Sequence, residues 1–206
     1  MLGVYNYTVI LTYVGMLTGF TGIAFAVHGD LRYALLCLMI AGACDMFDGA
    51  VASTMERTDQ EKRFGIQIDS LSDLICFGVL PAIIVYIASE SSLLSFLSGG
   101  VYVLCTLIRL AWFNVDEEDR QQAEASSRQF YLGLPVTTAA LLLPALMMLT
   151  SLLSWHFART VPGLLLVMSV LFLSPIPLRK PQFPGKLVMA LCGMAELAVL
   201  CLRSGL

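Results

Sequence analysis

The sequence predicts an all-α integral membrane protein with six or seven membrane-spanning helices in one domain. Three observations carry that expectation. Of 206 residues, 58% are hydrophobic and 13% charged, against about 25% charged in a soluble domain. Mean hydropathy is +0.81. The apolar residues also fall into runs of about 17–25, the length a helix needs to cross a bilayer.

The first run, 7–28, follows Met-Leu-Gly-Val-Tyr-Asn-Tyr. That start lacks a basic stretch, so the run is expected to stay as an anchor and not to be removed as a signal peptide. A second run, 31–56, follows across His28-Gly29-Asp30, a connection short enough to force an antiparallel pair. The third, 64–89, comes after a charged loop at 57–63, and the fourth, 91–115, after Glu90-Ser91-Ser92. The polar stretch 116–132 reads as a solvated loop. A fifth run follows at 133–155, a sixth at 160–176 trimmed by Pro162 and Pro175, and a seventh at 185–204. Within the single domain 1–206, the hairpin 31–89 and the helix 91–115 hold the residues of interest. The six cysteines all lie in apolar runs and form no Cys-x-x-Cys, so they read as small core residues.

Basic residues orient the chain. Arg57, Lys62, Arg63, Arg120, Arg128, Arg179, Lys180 and Lys186 fall on one side, and Arg32, Arg159 and Arg203 on the other. The richer side is cytoplasmic, which puts the 57–63 and 116–132 loops and the N-terminus on the cytoplasmic side of the cell membrane. A net charge of −3 gives no reason to expect a nucleic-acid partner.

Four acids stand out in the hairpin. Asp45 and Asp48 are three residues apart, Asp69 and Asp73 four, so each pair shares one helix face. At about 1.5 Å per residue, Asp48 and Asp45 lie roughly 12–17 Å below position 56. On the same rise, Asp69 and Asp73 lie roughly 8–14 Å below position 64. All four therefore meet at one level, in the cytoplasmic third of the membrane. Each costs about 2.5–3.5 kcal/mol near a helix centre, and neighbouring like charges add repulsion. The two helices offer no cation at that depth. Divalent cations resolve this, and an all-carboxylate site suits Mg²⁺, Mn²⁺ or Ca²⁺. Gly49, Ala52 and Gly65 recur on the same faces. Small residues there either let helices pack closely or leave backbone open to a bulky ligand. A metal pair with room beside it suits a pyrophosphate.

Asp45-x-x-Asp48-Gly49-x-x-Ala52 followed by Gly65-x-x-x-Asp69-x-x-x-Asp73 resembles the signature of the CDP-alcohol phosphatidyltransferases. The resemblance implies a six-helix membrane enzyme, usually a homodimer, to which the seventh, C-terminal helix is an addition. It implies transfer of a phosphatidyl group from CDP-diacylglycerol to an alcohol, with release of CMP. Asp45, Asp48 and Asp69 would hold two divalent metal ions (Mg²⁺ or Mn²⁺) on the diphosphate. Asp73 would complete the second metal site and serve as catalytic base. Gly49, Ala52 and Gly65 would line the cytidine pocket. Where the family usually has arginine after the alanine, this chain has Ser53, and its interval to Gly65 is three residues longer. Arg57, one turn later on the same face, is expected to substitute; Arg63 is the other candidate.

"IDSLSDLICFGVLPA" (68–82), "IRLAWFNV" (108–115) and "FYLGLPVT" (130–137) resemble the serine-accepting, phosphatidylserine synthase branch of that family. L-Serine is thus the expected acceptor. A phosphorylated alcohol such as glycerol 3-phosphate would need several cations, and the membrane part of helices two to five supplies only Arg109. Inositol remains an alternative, and choline would use an aromatic cage of Trp112, Phe113 and Tyr131. For serine, Arg109, Asn114 and Ser70 are the candidate contacts; otherwise Arg109 snorkels to the interface and Ser70 bonds its own backbone. No Ser, Cys or His near the cluster has a base to activate it, so direct attack by the acceptor hydroxyl is expected. A cation- or proton-coupled transporter is the competing class, disfavoured because every acid of interest falls in one hairpin.

Overall fold

The computed structural model describes residues 3–122, 130–153, 155–179 and 183–202. Among these, Arg128, Lys180 and Arg203 of the orientation count are not included, and the side chains of Arg120, Tyr131, Arg179 and Lys186 also lie outside the description. The described chain forms seven helices: α1 (Ile10–Val27), α2 (Leu31–Ala52), α3 (Asp59–Ala88), α4 (Leu93–Gln122), α5 (Ala139–Leu152), α6 (Phe157–Leu173) and α7 (Phe183–Leu202). Helices α1 to α4 are long and apolar enough to cross a membrane, and α5 to α7 contain shorter apolar stretches. The chain is a multi-pass membrane protein.

Polar contacts at the ends confirm the up-and-down order. Asn6 and Tyr7 reach Glu61 and Thr54, joining the N-terminal segment to the first turn of α3 and to the α2–α3 connection. Arg32 donates to the carbonyl of Cys201, joining the opposite ends of α2 and α7. Two three-residue strands, β1 (Phe130–Leu132) and β2 (Pro177–Arg179), pair antiparallel and tie the segment before α5 to the one after α6. Among the described residues this ribbon is the one pairing of strands in an otherwise helical architecture.

Several helix ends differ from expectation. The second helix stops at Ala52, not 56, because Ser53 and Thr54 turn their hydroxyls back onto the carbonyls of Ala50 and Val51, both at 2.7 Å. The third starts at Asp59, not 64, behind a capping box in which Thr58 and Glu61 satisfy each other's backbone N–H groups. The fourth runs to Gln122, so the acidic stretch after Asn114 is helical and not an irregular loop. The fifth begins late because Gly133 turns at φ +75° and Pro135 precedes a short 3-10 turn, Val136–Thr138. A Cβ on Gly133 would stand 2.8 Å from the carbonyl oxygens of Phe172 and Ser174, so only glycine fits there. The sixth accepts Pro162 inside it and starts three residues early, at Phe157.

In α3 the residues Leu74–Val79 form a wide π turn directly after Asp73. Pro81 has no N–H for the carbonyl of Phe77 four residues back. Tyr102 of α4, wholly buried, donates its hydroxyl to that carbonyl at 2.7 Å. A free carbonyl inside a bilayer would cost several kcal/mol, so this side chain completes the α3 backbone.

The first helix packs on α2 and α3 through glycines set against cysteines. Added Cβ atoms at Gly15, Gly19 and Gly22 would meet Cys44, Cys76 and Cys37 within 3.2 Å. This is close small-residue packing, and it accounts for Cys37, Cys44 and Cys76, whereas Cys192 and Cys201 are exposed and are not the core residues expected.

Candidate active site

The hairpin of α2 and α3 brings the four aspartates together. Carboxylate oxygens of Asp45, Asp48 and Asp69 lie within 4.8 Å of one another. Asp73 is within hydrogen-bonding reach of Asp45, and Asp69 of Asp48. The expected depths were not those observed. With α2 ending at Ala52, Asp48 is about 6 Å from the end of its helix. With α3 starting at Asp59, Asp69 is about 15 Å from the start of its own. The acids still meet because α3 overhangs α2, and the connection 53–58 climbs to its start.

A third helix contributes a residue that the sequence did not single out. Thr12 of α1, 8% exposed, donates its hydroxyl to Asp48 Oδ2 at 3.4 Å, and its carbonyl accepts from Ser72 at 3.5 Å. One threonine in an apolar helix carries no periodic signal, so only the packing of α1 on the hairpin reveals it.

The small residues of the motif divide from those that pack. Gly49 has no atom within 4 Å of an added Cβ, and Gly65 has only Arg57 Nη1, at 3.3 Å. Gly42, by contrast, would place a Cβ 2.6 Å from that of Ala140. Gly49 therefore serves no helix contact here and leaves backbone open beside Asp48. Arg57 is not on the face of the second helix as expected, since that helix has already ended. From the connection it lays its guanidinium over Gly65 instead. Ser53 is exposed, with its hydroxyl spent on its own helix. Arg63 is exposed near the start of α3.

A cavity of about 660 Å³ opens beside the acids. Asp45, Asp69, Asp73 and Arg109 share its wall. Arg109 is only 8% exposed and donates to the Gly133 carbonyl at 3.4 Å, so it faces the cavity and does not snorkel outward. Ser70 and Asn114 are not part of that wall. Ser70 donates to Asn114 Oδ1 at 2.7 Å and Asn114 donates to Gln67 at 3.5 Å, a polar link between α3 and α4. Of the described aromatics of the choline cage, Phe113 lines the cavity while Trp112 is 60% exposed. They do not converge.

Three carboxylates at this separation form a donor set of oxygen alone, which fits a hard divalent cation. The sequence profile of the family described as CDP-alcohol phosphatidyltransferase matches residues 5–175. The CDP-diacylglycerol–serine O-phosphatidyltransferase of Mycobacterium bovis is 30% identical, over 92% of this chain and 69% of its own length. The archaetidylserine synthase of Methanothermobacter thermautotrophicus is 30% identical over 81% of this chain and 66% of its own. The Saccharomyces cerevisiae CDP-diacylglycerol–serine O-phosphatidyltransferase is 33% identical over 64% and 51%.

Proposed function

The chain belongs to the CDP-alcohol phosphatidyltransferase family, and from that premise we propose that it transfers the phosphatidyl group of CDP-diacylglycerol to L-serine, releasing phosphatidylserine and CMP. The observation that carries this reading is one cavity wall shared by Asp45, Asp69, Asp73 and a buried arginine, Arg109. The names of the relatives support serine as acceptor. So does the pocket, since a single cation suits one carboxylate and is poor for an added phosphate.

Asp45, Asp48 and Asp69 would hold two divalent ions, Mg²⁺ or Mn²⁺, with Asp73 completing the second site. Such ions, when bound, neutralise the diphosphate and polarise the phosphorus under attack. Gly49, Ala52 and Gly65 leave room for the cytidine and its ribose, and Arg57 over Gly65 supplies the cation that the family draws from the position of Ser53. Arg109 orients the serine carboxylate. Asp73 takes the proton of the serine hydroxyl as its oxygen bonds to the phosphatidyl phosphorus. The bond from phosphorus to the CMP oxygen breaks, and CMP leaves with that electron pair. Ser72 and Cys76 point their side chains at backbone carbonyls of α1, which supports a single displacement with no covalent intermediate. Ser70 and Asn114 hold α3 to α4 and support the site from behind. The enzyme works as a homodimer in the cell membrane with the acids toward the cytoplasm, a side supported by Arg57, Lys62 and Arg63.

The test is CMP release by purified protein given CDP-diacylglycerol with serine, glycerol 3-phosphate, inositol or choline in separate reactions. Serine should be fastest. Faster release with another alcohol rejects serine, and no release with any rejects the transferase.

A further inference from the structure

The family profile ends at residue 175, before α7 begins, yet α7 supplies Met189, Ala190, Gly193, Met194 and Leu197 to the wall of the cavity that holds the acids. Those positions recur at one, four, five and eight residues from the first, a single helical face. The geometry points to α7 as the element that selects the acyl chain of the lipid substrate, with Met194 and Leu197, toward the end far from the acids, setting how long a chain the cavity accepts. This inference rests on the transferase reading and goes beyond it.

Direction, chemistry and access agree. Down α2 the cavity runs from Asp45 to Met39, about 9 Å, and along α7 from Met189 to Leu197, about 12 Å. It thus leads from the carboxylates toward the bilayer midplane, about 15 Å from either surface of the hydrocarbon core, as does a chain hanging from a headgroup at the acids. Apart from the aspartates and Arg109 at one end, its wall is mainly apolar. Ile40 and Phe47 of α2 and Met194 of α7 line the cavity and are also exposed, so the cavity is open at its flank, where a chain would enter sideways from the membrane. The helix that makes this wall is fixed in place. Leu200 is 1% exposed in the core, Arg32 holds the Cys201 carbonyl, and Gly193 lies against Leu141.

The experiment compares CDP-diacylglycerol carrying two octanoyl or two palmitoyl chains, reading kcat/KM for CMP release with serine in the full chain. The quantity scored is the palmitoyl-to-octanoyl ratio relative to wild type. Each buried methylene is worth about fourfold in binding. Leu197→Trp, which removes room for about two methylenes at the far end, should therefore lower the ratio about tenfold. Met194→Ala, which adds room and cannot crowd the fold, should raise it by threefold or more. Equal losses on both lipids in Leu197→Trp together with an unmoved ratio in Met194→Ala overturn the role of α7 alone. Absence of CMP from the wild type overturns the transferase reading, and this inference with it.

Discussion

Thr12 of α1 donates its hydroxyl to Asp48 Oδ2 of α2, 3.4 Å away, so the carboxylate cluster is steadied from outside its own hairpin. A long hydrogen bond of this kind is worth about 0.5–1.5 kcal/mol. Thr12→Val should raise the Mg²⁺ concentration for half-maximal activity about two- to tenfold, and Thr12→Ser should restore it. Titration of Mn²⁺ binding by electron paramagnetic resonance should move in parallel. An unaltered metal affinity in Thr12→Val would leave this threonine a packing residue only.

Chelation should abolish turnover reversibly. The three clustered carboxylates are an all-oxygen donor set, and in the proposed mechanism the diphosphate would react only when divalent ions hold it. CMP release should vanish in excess chelator and return when Mg²⁺ or Mn²⁺ is added back. Full turnover in chelator would exclude a metal role for the cluster.

Asp73→Asn should eliminate turnover while CDP-diacylglycerol binding largely survives, whereas Asp48→Asn should weaken binding itself. An amide keeps the shape of Asp73 but does not take a hydroxyl proton, a loss of about 10²–10⁴-fold. Rapid-quench turnover and equilibrium lipid binding separate the two effects. Near wild-type turnover in Asp73→Asn would reject its role as base.

Arg109→Ala should raise the serine KM strongly and change the KM for CDP-diacylglycerol little. Removing the charged partner of a carboxylate typically costs about 2–5 kcal/mol. A change under threefold in the serine KM would mean that Arg109 serves the Gly133 carbonyl and the fold, not the acceptor.

Tyr102→Phe should destabilise the protein by about 1–3 kcal/mol, the cost of leaving a buried carbonyl unpaired, because Phe77 loses the donor that Pro81 withholds. Thermal unfolding in detergent reads the change. A midpoint equal to that of wild type would show that water or a neighbouring group replaces the hydroxyl.

The positions of α1 to α4 were legible because membrane helices announce themselves by length and apolarity, and the acid pairs because carboxylates in such segments have few uses. The ends were harder. Thr58-Asp-Gln-Glu61 is a capping-box pattern open to reading in the sequence, and it would have started the third helix at Asp59. The early stop at Ala52 rests on local bonds of Ser53 and Thr54, which compete evenly with a further helical turn. The ribbon of Phe130–Leu132 with Pro177–Arg179 joins residues far apart in the chain through strands too short to show alternation. Arg57 illustrates a mixed outcome: the residue type was informative, but its route to Gly65 depends on a connection that periodicity does not describe.

The wide turn at Leu74–Val79 gives α3 two angular phases. Each residue advances an α-helix by about 100°, and a π turn takes up one residue more than an ordinary turn. The half bearing Asp69 and Asp73 faces the partner acids of α2, while Leu80, in the half beyond, is aimed at Gly22 of α1. A regular α-helix with the same number of residues would swing one half by about 100° against the other. Either the carboxylates would leave their partners or the packed half would leave α1. Deleting the one extra residue between 74 and 79, by contrast, would let the helix regularise with both halves still in phase. The residue count of one turn, more than the identity of its side chains, fixes the angle between the reactive and the anchored halves of the same helix.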